Sequence, residues 1–192
     1  MTEPEKGIIE STKDRITSAI QGGGEIFNVT VEVISSAVTT TVKGAGTAGA
    51  SVIGAISDIV RGAIRGVVDV SSDLGLAAKG IILGVLRGTK ETGAATLETI
   101  SQTAGSVIKS TADVGGDLGT AAKGLVEGAI EGAKELGLDT MEAGSAAATG
   151  ALKGAGKVGS EAGEQVRKAL TGTIAGVKVV LHEPFEHTKK TP

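Results

Sequence analysis

Apolar and small side chains recur every eleven residues along nearly the whole chain. The members of this series are Ile9, Ile20, Val31, Val42, Ile53, Ile64, Gly75, Leu86, Leu97, Ile108, Gly119, Ile130, Met141, Leu152, Gly163 and Ile174. Because eleven residues fill three turns of an α-helix almost without remainder, this spacing keeps one apolar line on one side of the helix. The pattern predicts an all-α protein built on a long, near-straight amphipathic helix with hendecad (11-residue) repeats.

Glycine adds a second period of twenty-two residues. Its members, with Ser110 filling one gap, are Gly22, Gly44, Gly66, Gly88, Gly132, Gly154 and Gly176. The segment from Asp69 to Gly80 also recurs forty-four residues later, from Asp113 to Gly124, with most residues unchanged. Internal repetition of this kind is a better guide to the fold than residue-by-residue propensity. We interpret the sequence as paired eleven-residue units within a duplicated block of forty-four residues.

Charged residues occupy the half of the helix circumference that the apolar arc leaves open. Lysines border the arc, where their stems can lie on it while their charges reach water. The middle of the polar half carries both signs of charge, at Glu10, Glu32, Arg65, Arg87, Glu98, Lys109, Glu131, Glu142, Lys153 and Glu164. A third line alternates acidic residues with glycines. This arrangement is typical of recognition between neighbouring helices.

The glycines need a physical explanation, because each glycine inside a helix costs about 1 kcal/mol relative to alanine. Runs such as Gly80-x3-Gly84-x3-Gly88 place small residues on one ridge, which lets another helix or a lipid approach closely. We therefore predict that the helix forms where a partner covers it, in a multi-helix bundle or a filament. The predicted assembly interface comprises Ile53, Ile64, Leu86, Leu97, Ile108, Ile130, Leu152, Ile174, Gly66, Gly88, Gly132 and Gly154.

Three segments are predicted along the chain. Residues 1–24 form an N-terminal segment with a short helix and a possible break at Gly22-Gly23-Gly24. Residues 25–181 form the hendecad-repeat rod, and residues 182–192 form a polar tail. Gly115-Gly116 is a weaker candidate for a break, because the apolar phase continues through it. Unbroken phase favours one long helix over a hairpin, which stays open as the alternative.

The β-branched run from Asn28 to Val42 also permits a strand interpretation. Its apolar residues nevertheless keep the eleven-residue phase of the rest of the chain. We therefore predict that this run is helical.

Composition excludes several classes of function. The 192 residues include two Phe and no Tyr or Trp, so elongated packing is favoured over a globular core. The absence of Cys excludes disulfides and thiolate chemistry, and a formal net charge of -3 argues against nucleic acid. The N-terminus does not resemble a signal peptide, and no apolar run reaches about 18 residues. We therefore expect a cytoplasmic or membrane-peripheral location.

Two motifs suggest chemistry, but each has a simpler explanation. A G-x-G-x-x-G pattern at 44–49 resembles a dinucleotide-binding turn, yet it recurs at 154–159 as a by-product of the repeat. The segment from His182 to His187 contains imidazoles and carboxylates, but Pro184 prevents a helix that would align them on a metal. We expect a solvated tail there, with no metal and no cofactor.

Two pairs of carboxylates could act as a general acid and base, Asp69 with Asp73 and Asp113 with Asp117. They repeat along an exposed helical face, whereas a catalytic pair is normally unique and enclosed. A charge pattern between helices explains them better. The sequence therefore predicts no enzyme, no catalytic residue and no small-molecule substrate.

The segment from Ala121 to Glu135, AAKGLVEGAIEGAKE, shows the amphipathic repeat most clearly. Its eleven- and twenty-two-residue periodicity resembles that of exchangeable apolipoproteins, perilipins, synucleins and late-embryogenesis-abundant proteins. The resemblance covers most of the chain and depends on period and polarity. For the lipid-coating families, it implies a helix that lies on a membrane or lipid-droplet surface.

Two functions compete at this point. The first is a structural protein that self-assembles as a homo-oligomer through its Gly/Ala/Ile-rich face. The second is an amphipathic-helix protein that coats a lipid or membrane surface, because lysines at the edge of the arc suit phospholipid headgroups. A bundle that crosses the bilayer is a third variant. The number and direction of the helices in an assembly stay open.

Overall fold

The computed structural model describes residues 3–45, 49–70 and 73–181. These residues form eight α-helices, one short 3₁₀ helix and one two-stranded hairpin. The helices are α1 (Glu3–Gln21), α2 (Ile26–Ala45), α3 (Gly49–Asp69), α4 (Leu74–Thr89), α5 (Leu97–Asp113), α6 (Leu118–Leu136), α7 (Thr140–Val158) and α8 (Ser160–Leu170). The 3₁₀ helix is Lys90–Thr92, and the strands are β1 (Thr173–Ile174) and β2 (Val177–Lys178). The predicted all-α class is confirmed.

The helices form two layers, because most helices pack mainly against the helix two places away in the sequence. The odd-numbered helices α1, α3, α5 and α7 make one layer, and the even-numbered helices α2, α4, α6 and α8 make the other. Consecutive helices contact each other across the two layers. The result is a stack of helical hairpins, and each hairpin contributes one helix to each layer.

The apolar arc of each helix faces the space between the layers. Long aliphatic side chains from most helices are fully buried there and form one continuous cluster. The largest are Ile16, Ile34, Ile59, Ile64, Ile81, Ile82, Leu86, Ile100, Ile108, Leu125 and Ile130. The chain therefore buries its own apolar arc against its own helices.

The prediction of one long rod from 25 to 181 is wrong, because turns interrupt the helix at regular intervals. From α4 to α7, successive helices begin 21 to 23 residues apart. A helix and its turn together therefore occupy nearly the same length as the twenty-two-residue repeat. For this reason the apolar phase continues through a turn, and unbroken phase does not indicate an unbroken helix.

Glycines in the left-handed region mark several of these turns. Gly93, Gly115 and Gly137 have φ of +69°, +69° and +71°, a region that glycine adopts without a steric penalty. The turn at Gly115-Gly116, predicted to be the weaker break, separates α5 from α6. The turn between α1 and α2 includes Gly22-Gly23-Gly24, where a break was also predicted.

Aspartates begin three of the following helices. Each accepts hydrogen bonds from backbone N–H groups in the first turn of its helix, as N-cap residues do. They are Asp73 before α4, Asp117 before α6 and Asp139 before α7. At Gly115 with Asp117 and at Gly137 with Asp139, the glycine ends one helix and the aspartate begins the next.

The segment 28–42 lies within helix α2, as predicted. A strand occurs instead near the end of the chain, where the rod was predicted to continue. There β1 and β2 pair antiparallel through Ile174 and Val177. The two residues between them, Ala175 and Gly176, both have positive φ, as a two-residue type I′ hairpin turn requires.

Candidate interaction surfaces

The residues predicted to form an assembly interface lie mostly inside this one chain. Six of the eight apolar ones are buried: Ile64, Leu86, Ile108, Ile130, Leu152 and Ile174. Ile53 is half-buried, and Leu97 is 40% exposed. The four glycines are buried as well: Gly66, Gly88, Gly132 and Gly154. A second molecule can reach most of this set only if the helices separate, so their role between chains stays a prediction.

Glycines allow α6 to lie directly on the backbone of α4. A β-carbon added at Gly128 would lie 2.5 Å from the carbonyl oxygen of Lys79. One added at Gly124 would overlap the carbonyl of Gly75. Both contacts join residues forty-nine apart in sequence, and a constant difference means that α4 and α6 run parallel. No other residue type fits here without moving the helices apart.

The same contact joins α5 and α7 in the other layer. A β-carbon at Gly154 would lie 2.6 Å from the carbonyl oxygen of Gly105, and one at Gly150 would overlap the carbonyl of Ser101. The separation in sequence is again forty-nine residues. The two layers therefore use one mode of packing, in which the later helix lays glycines on the backbone of the earlier one.

In the α2–α4 pair, β-branched side chains meet the glycines. A β-carbon at Gly84 would lie 2.8 Å from Cβ of Ile34, and one at Gly88 would lie 2.8 Å from Cβ of Val38. The backbone is also near, since the carbonyl oxygen of Val31 is 2.9 Å from the added atom at Gly84. The small-residue ridge predicted from the sequence thus meets a neighbouring helix of the same chain.

Ion pairs cross the outer side of the α4–α6 contact. Arg87 donates two hydrogen bonds to Glu135, at 2.8 Å from Nε and 2.6 Å from Nη2. The hydrogen bonds to Arg87 lower the pKa of Glu135, and the carboxylate in turn raises the pKa of Arg87. Lys79 binds Glu131 at 2.8 Å and lies 5.2 Å above the ring of Phe27. These two ion pairs therefore neutralise four charges on this side of the stack.

The outer side of the α5–α7 contact is arranged differently. The charged side chains that line the cavity and the groove on this side are all exposed and form two rows across the helices. The acidic row is Glu98 and Glu142, and the basic row is Lys109, Lys153 and Lys157. A polar cavity of about 310 Å³ lies along the surface between α5 and α7. In the part of the chain that the structure describes, none of these five charges has an ion-pair partner.

An apolar groove lies at the acidic end of this face. Its volume is about 540 Å³, and its walls include Leu97, Met141, Ala146 and Val180. Three of these side chains are among the most exposed large apolar groups of the described residues, at 40% for Leu97, 51% for Met141 and 45% for Val180. The backbone N–H of Val180 donates to Oγ of Ser145, which holds Val180 against α7.

The sequence interpretation did not identify this face. The sequence signal for this face is a spacing of forty-four residues. This spacing separates Glu98 from Glu142, and it separates Arg65, Lys109 and Lys153 in turn. These residues were assigned to a single line of mixed sign along a rod. In the folded chain this line is distributed over parallel helices, where its members form separate acidic and basic rows. Val180 could not have been assigned to the face, because the hairpin that places it was not predicted.

The motifs that suggested chemistry fall on structural elements. The pattern at 154–159 covers the end of α7 and its C-cap, and no strand precedes it. The pattern at 44–49 and the tail from 182 lie wholly or partly outside the described residues. Of the aspartates, Asp73 and Asp117 cap helices, and Asp69 binds Lys13 at 2.9 Å. The carboxylate hydrogen bond to Lys13 raises the pKa of that lysine.

The described residues show neither a metal-ion site nor a membrane-spanning helix. Across 3–45, 49–70 and 73–181, no group of three or more His, Asp or Glu side chains is placed to hold a metal ion. In the same ranges, no helix combines the length and the apolar character that crossing a bilayer requires. Buried polar side chains in this part of the chain are threonines and serines, such as Thr89 and Ser110.

Comparison with known proteins gives no family. No protein-family model and no curated protein matches the sequence. Among solved structures, the chain is similar to a crystal structure of a de novo designed helical repeat protein, with 19% identity and a TM-score of 0.49. That similarity covers 88% of this chain and 90% of the designed one.

Proposed function

We propose that this chain is a structural protein without enzymatic activity, a helical scaffold that binds other macromolecules through its outer faces. The observation that carries the proposal is the glycine-on-backbone contact, which recurs at the same separation in both layers. Such contacts hold parallel helices at close range. A stack held in this way presents two broad, fixed surfaces, which is how helical-repeat proteins bind their partners.

Self-assembly belongs to the same proposal, but on other surfaces than the sequence suggested. The Gly/Ala/Ile-rich face is occupied by neighbouring helices of the same chain. A coiled-coil-like bundle or a filament built through that face would first require these helices to separate. We therefore assign association between molecules to the charged outer faces.

Circular dichroism and sedimentation of lipid-free protein test the scaffold proposal. We expect a fully helical spectrum without lipid and one cooperative unfolding transition, because the apolar arcs are already covered. Addition of anionic or zwitterionic vesicles should leave the spectrum unchanged. A lipid-free chain that is unfolded, and that gains helix only on vesicles, would contradict the scaffold and favour the lipid-coating alternative.

A further inference from the structure

We propose that the α5–α7 face binds a second copy of this chain, in a dimer with twofold symmetry. The face consists of the acidic row Glu98 and Glu142, the basic row Lys109, Lys153 and Lys157, the polar cavity between the helices and the apolar groove at the acidic end. The proposal deepens the scaffold function, since it names one partner and the surface that binds it.

The spacing of the two rows makes this face complementary to itself. In each helix the acidic and basic residues are eleven apart, as Glu98 and Lys109 are, which corresponds to about 16 Å along the axis. A twofold axis perpendicular to the face, midway between the rows, reverses the helix direction in the second copy. The acidic row of each copy then lies over the basic row of the other, so both sets of contacts form at once.

Repulsion within the rows gives the second argument. Lys109, Lys153 and Lys157 line the same polar cavity, so like charges lie near one another within one molecule. The helix dipole alone explains why acidic residues lie near the first turn of each helix and basic residues near the last turn. It does not account for the contrast with the α4–α6 face, where cations and anions pair across the helices. On the α5–α7 face, a second molecule can supply the opposite charges.

The apolar groove fits the same arrangement. Leu97 and Met141 lie beside the acidic row, where the lysine side chains of the other copy would arrive. The methylene stems of those lysines can cover the exposed apolar groups while their ammonium groups reach the carboxylates. A face two helices wide buries about 500 Å² per copy, which is at the low end for a specific interface. We therefore expect a weak, salt-sensitive dimer.

Sedimentation velocity of the full chain tests the dimer. At about 50 mM salt and concentrations up to about 100 μM we expect monomer–dimer exchange, which shifts toward monomer at about 500 mM salt because screening weakens exposed charge pairs. The variant K109E/K153E should weaken the dimer by about tenfold or more, because it places acids against acids. The variant E98K/E142K should do the same.

Variants in which acidic and basic residues are exchanged provide the decisive controls. An equal mixture of K109E/K153E and E98K/E142K should associate again, and one chain that carries all four changes should regain the homodimer. The matched control K123E/K134E makes the same change of charge at exposed positions of α6 and should leave the dimer intact. Wild-type protein that stays monomeric, or a control that weakens the dimer equally, would overturn the proposal. A monomer with a full helical spectrum would still leave the scaffold function standing.

Discussion

The α4–α6 and α5–α7 pairs share one contact between backbones and differ on their outer sides. In both pairs, glycines of the later helix lie on carbonyl groups of the earlier one, at the same separation in sequence. Outside, α4 and α6 are joined by Arg87–Glu135 and Lys79–Glu131. The α5–α7 pair carries rows of like charge, and no ion pair crosses between these two helices among the described residues.

The difference teaches that stacking and recognition are encoded in separate positions. Glycines determine which helices can approach, whatever the surface charge. Surface charge then determines whether the charged side chains of a face pair with one another within the molecule. Changes at the glycines should therefore affect both pairs alike, whereas changes at the charges should affect one pair only.

The largest expected effect is the loss of the shared backbone contact. Gly124→Ala in α6 and Gly150→Ala in α7 each place a β-carbon against a carbonyl of the neighbouring helix. We expect each change to lower the free energy of unfolding by about 2 kcal/mol or more, despite the better helix propensity of alanine. Urea denaturation followed by circular dichroism measures the effect.

Gly156→Ala is the matched control for these two variants. Gly156 also lies in α7, but an added β-carbon there meets nothing within 4 Å. Propensity alone then applies, and we expect the free energy of unfolding to rise by about 1 kcal/mol. Equal effects at Gly150 and Gly156 would show that the glycines do not act through a close contact.

The sequence predicted the class of the fold and the small-residue ridge, but not the architecture. The apolar period requires helix and fixes which face is buried, for example at Ile64 and Ile108. It cannot reveal turns whose spacing equals the repeat. A better signal was present in Gly93, Gly115 and Gly137, which are twenty-two residues apart and each end a helical segment with positive φ. These glycines, followed by an aspartate N-cap in two cases, mark the stops and starts of helices.

The surfaces were harder to predict than the helices. Whether Lys109 lies beside Lys153 or far from it depends on which helices are neighbours, and that is a property of the stack. The partner of Arg87 is likewise forty-eight residues away in the sequence. Charge patterns become interpretable only once the helix pairing is known.

A smaller effect on the free energy of unfolding is expected at two buried threonines, one in α5 and one in α4. Thr103 of α5 is 1% exposed, and its hydroxyl has no hydrogen-bond partner among the residues that the structure describes. Thr103→Val removes an unsatisfied polar group at nearly constant volume, so we expect the free energy of unfolding to rise by about 1 kcal/mol. In α4, the hydroxyl of buried Thr89 donates to the carbonyl of Val85 at 2.8 Å. Thr89→Val should therefore destabilise the protein, and a stabilising result there would contradict this account.

The smallest expected effect is the pH dependence of the α4–α6 ion pair. The pKa of Glu135 is lowered in the folded state by Arg87, so the pair stabilises the protein above the ordinary carboxylate pKa. This stabilisation is lost as the pH falls from about 4.3 through the lower folded value. Because the pair is partly exposed, Glu135→Gln should cost only about 0.5 kcal/mol at neutral pH.

Urea denaturation at pH 7 and near pH 3 measures this contribution, and the difference between wild type and Glu135→Gln should be smaller at the lower pH. Glu142→Gln on the α5–α7 face is the control. Its carboxylate has no ion-pair partner within the described chain, so the monomer should show no comparable difference.

The most direct test of the central claim is one distance within the chain. Because the sequence has no Cys, Leu76→Cys and Thr120→Cys introduce two spin-label sites, both exposed, on α4 and α6. In the stack these helices are neighbours, so strong dipolar broadening is expected, from helix axes about 10 Å apart. Dilution with unlabelled protein removes any signal between molecules. A separation near 66 Å, which one continuous helix gives over the same forty-four residues, would contradict the stacked fold.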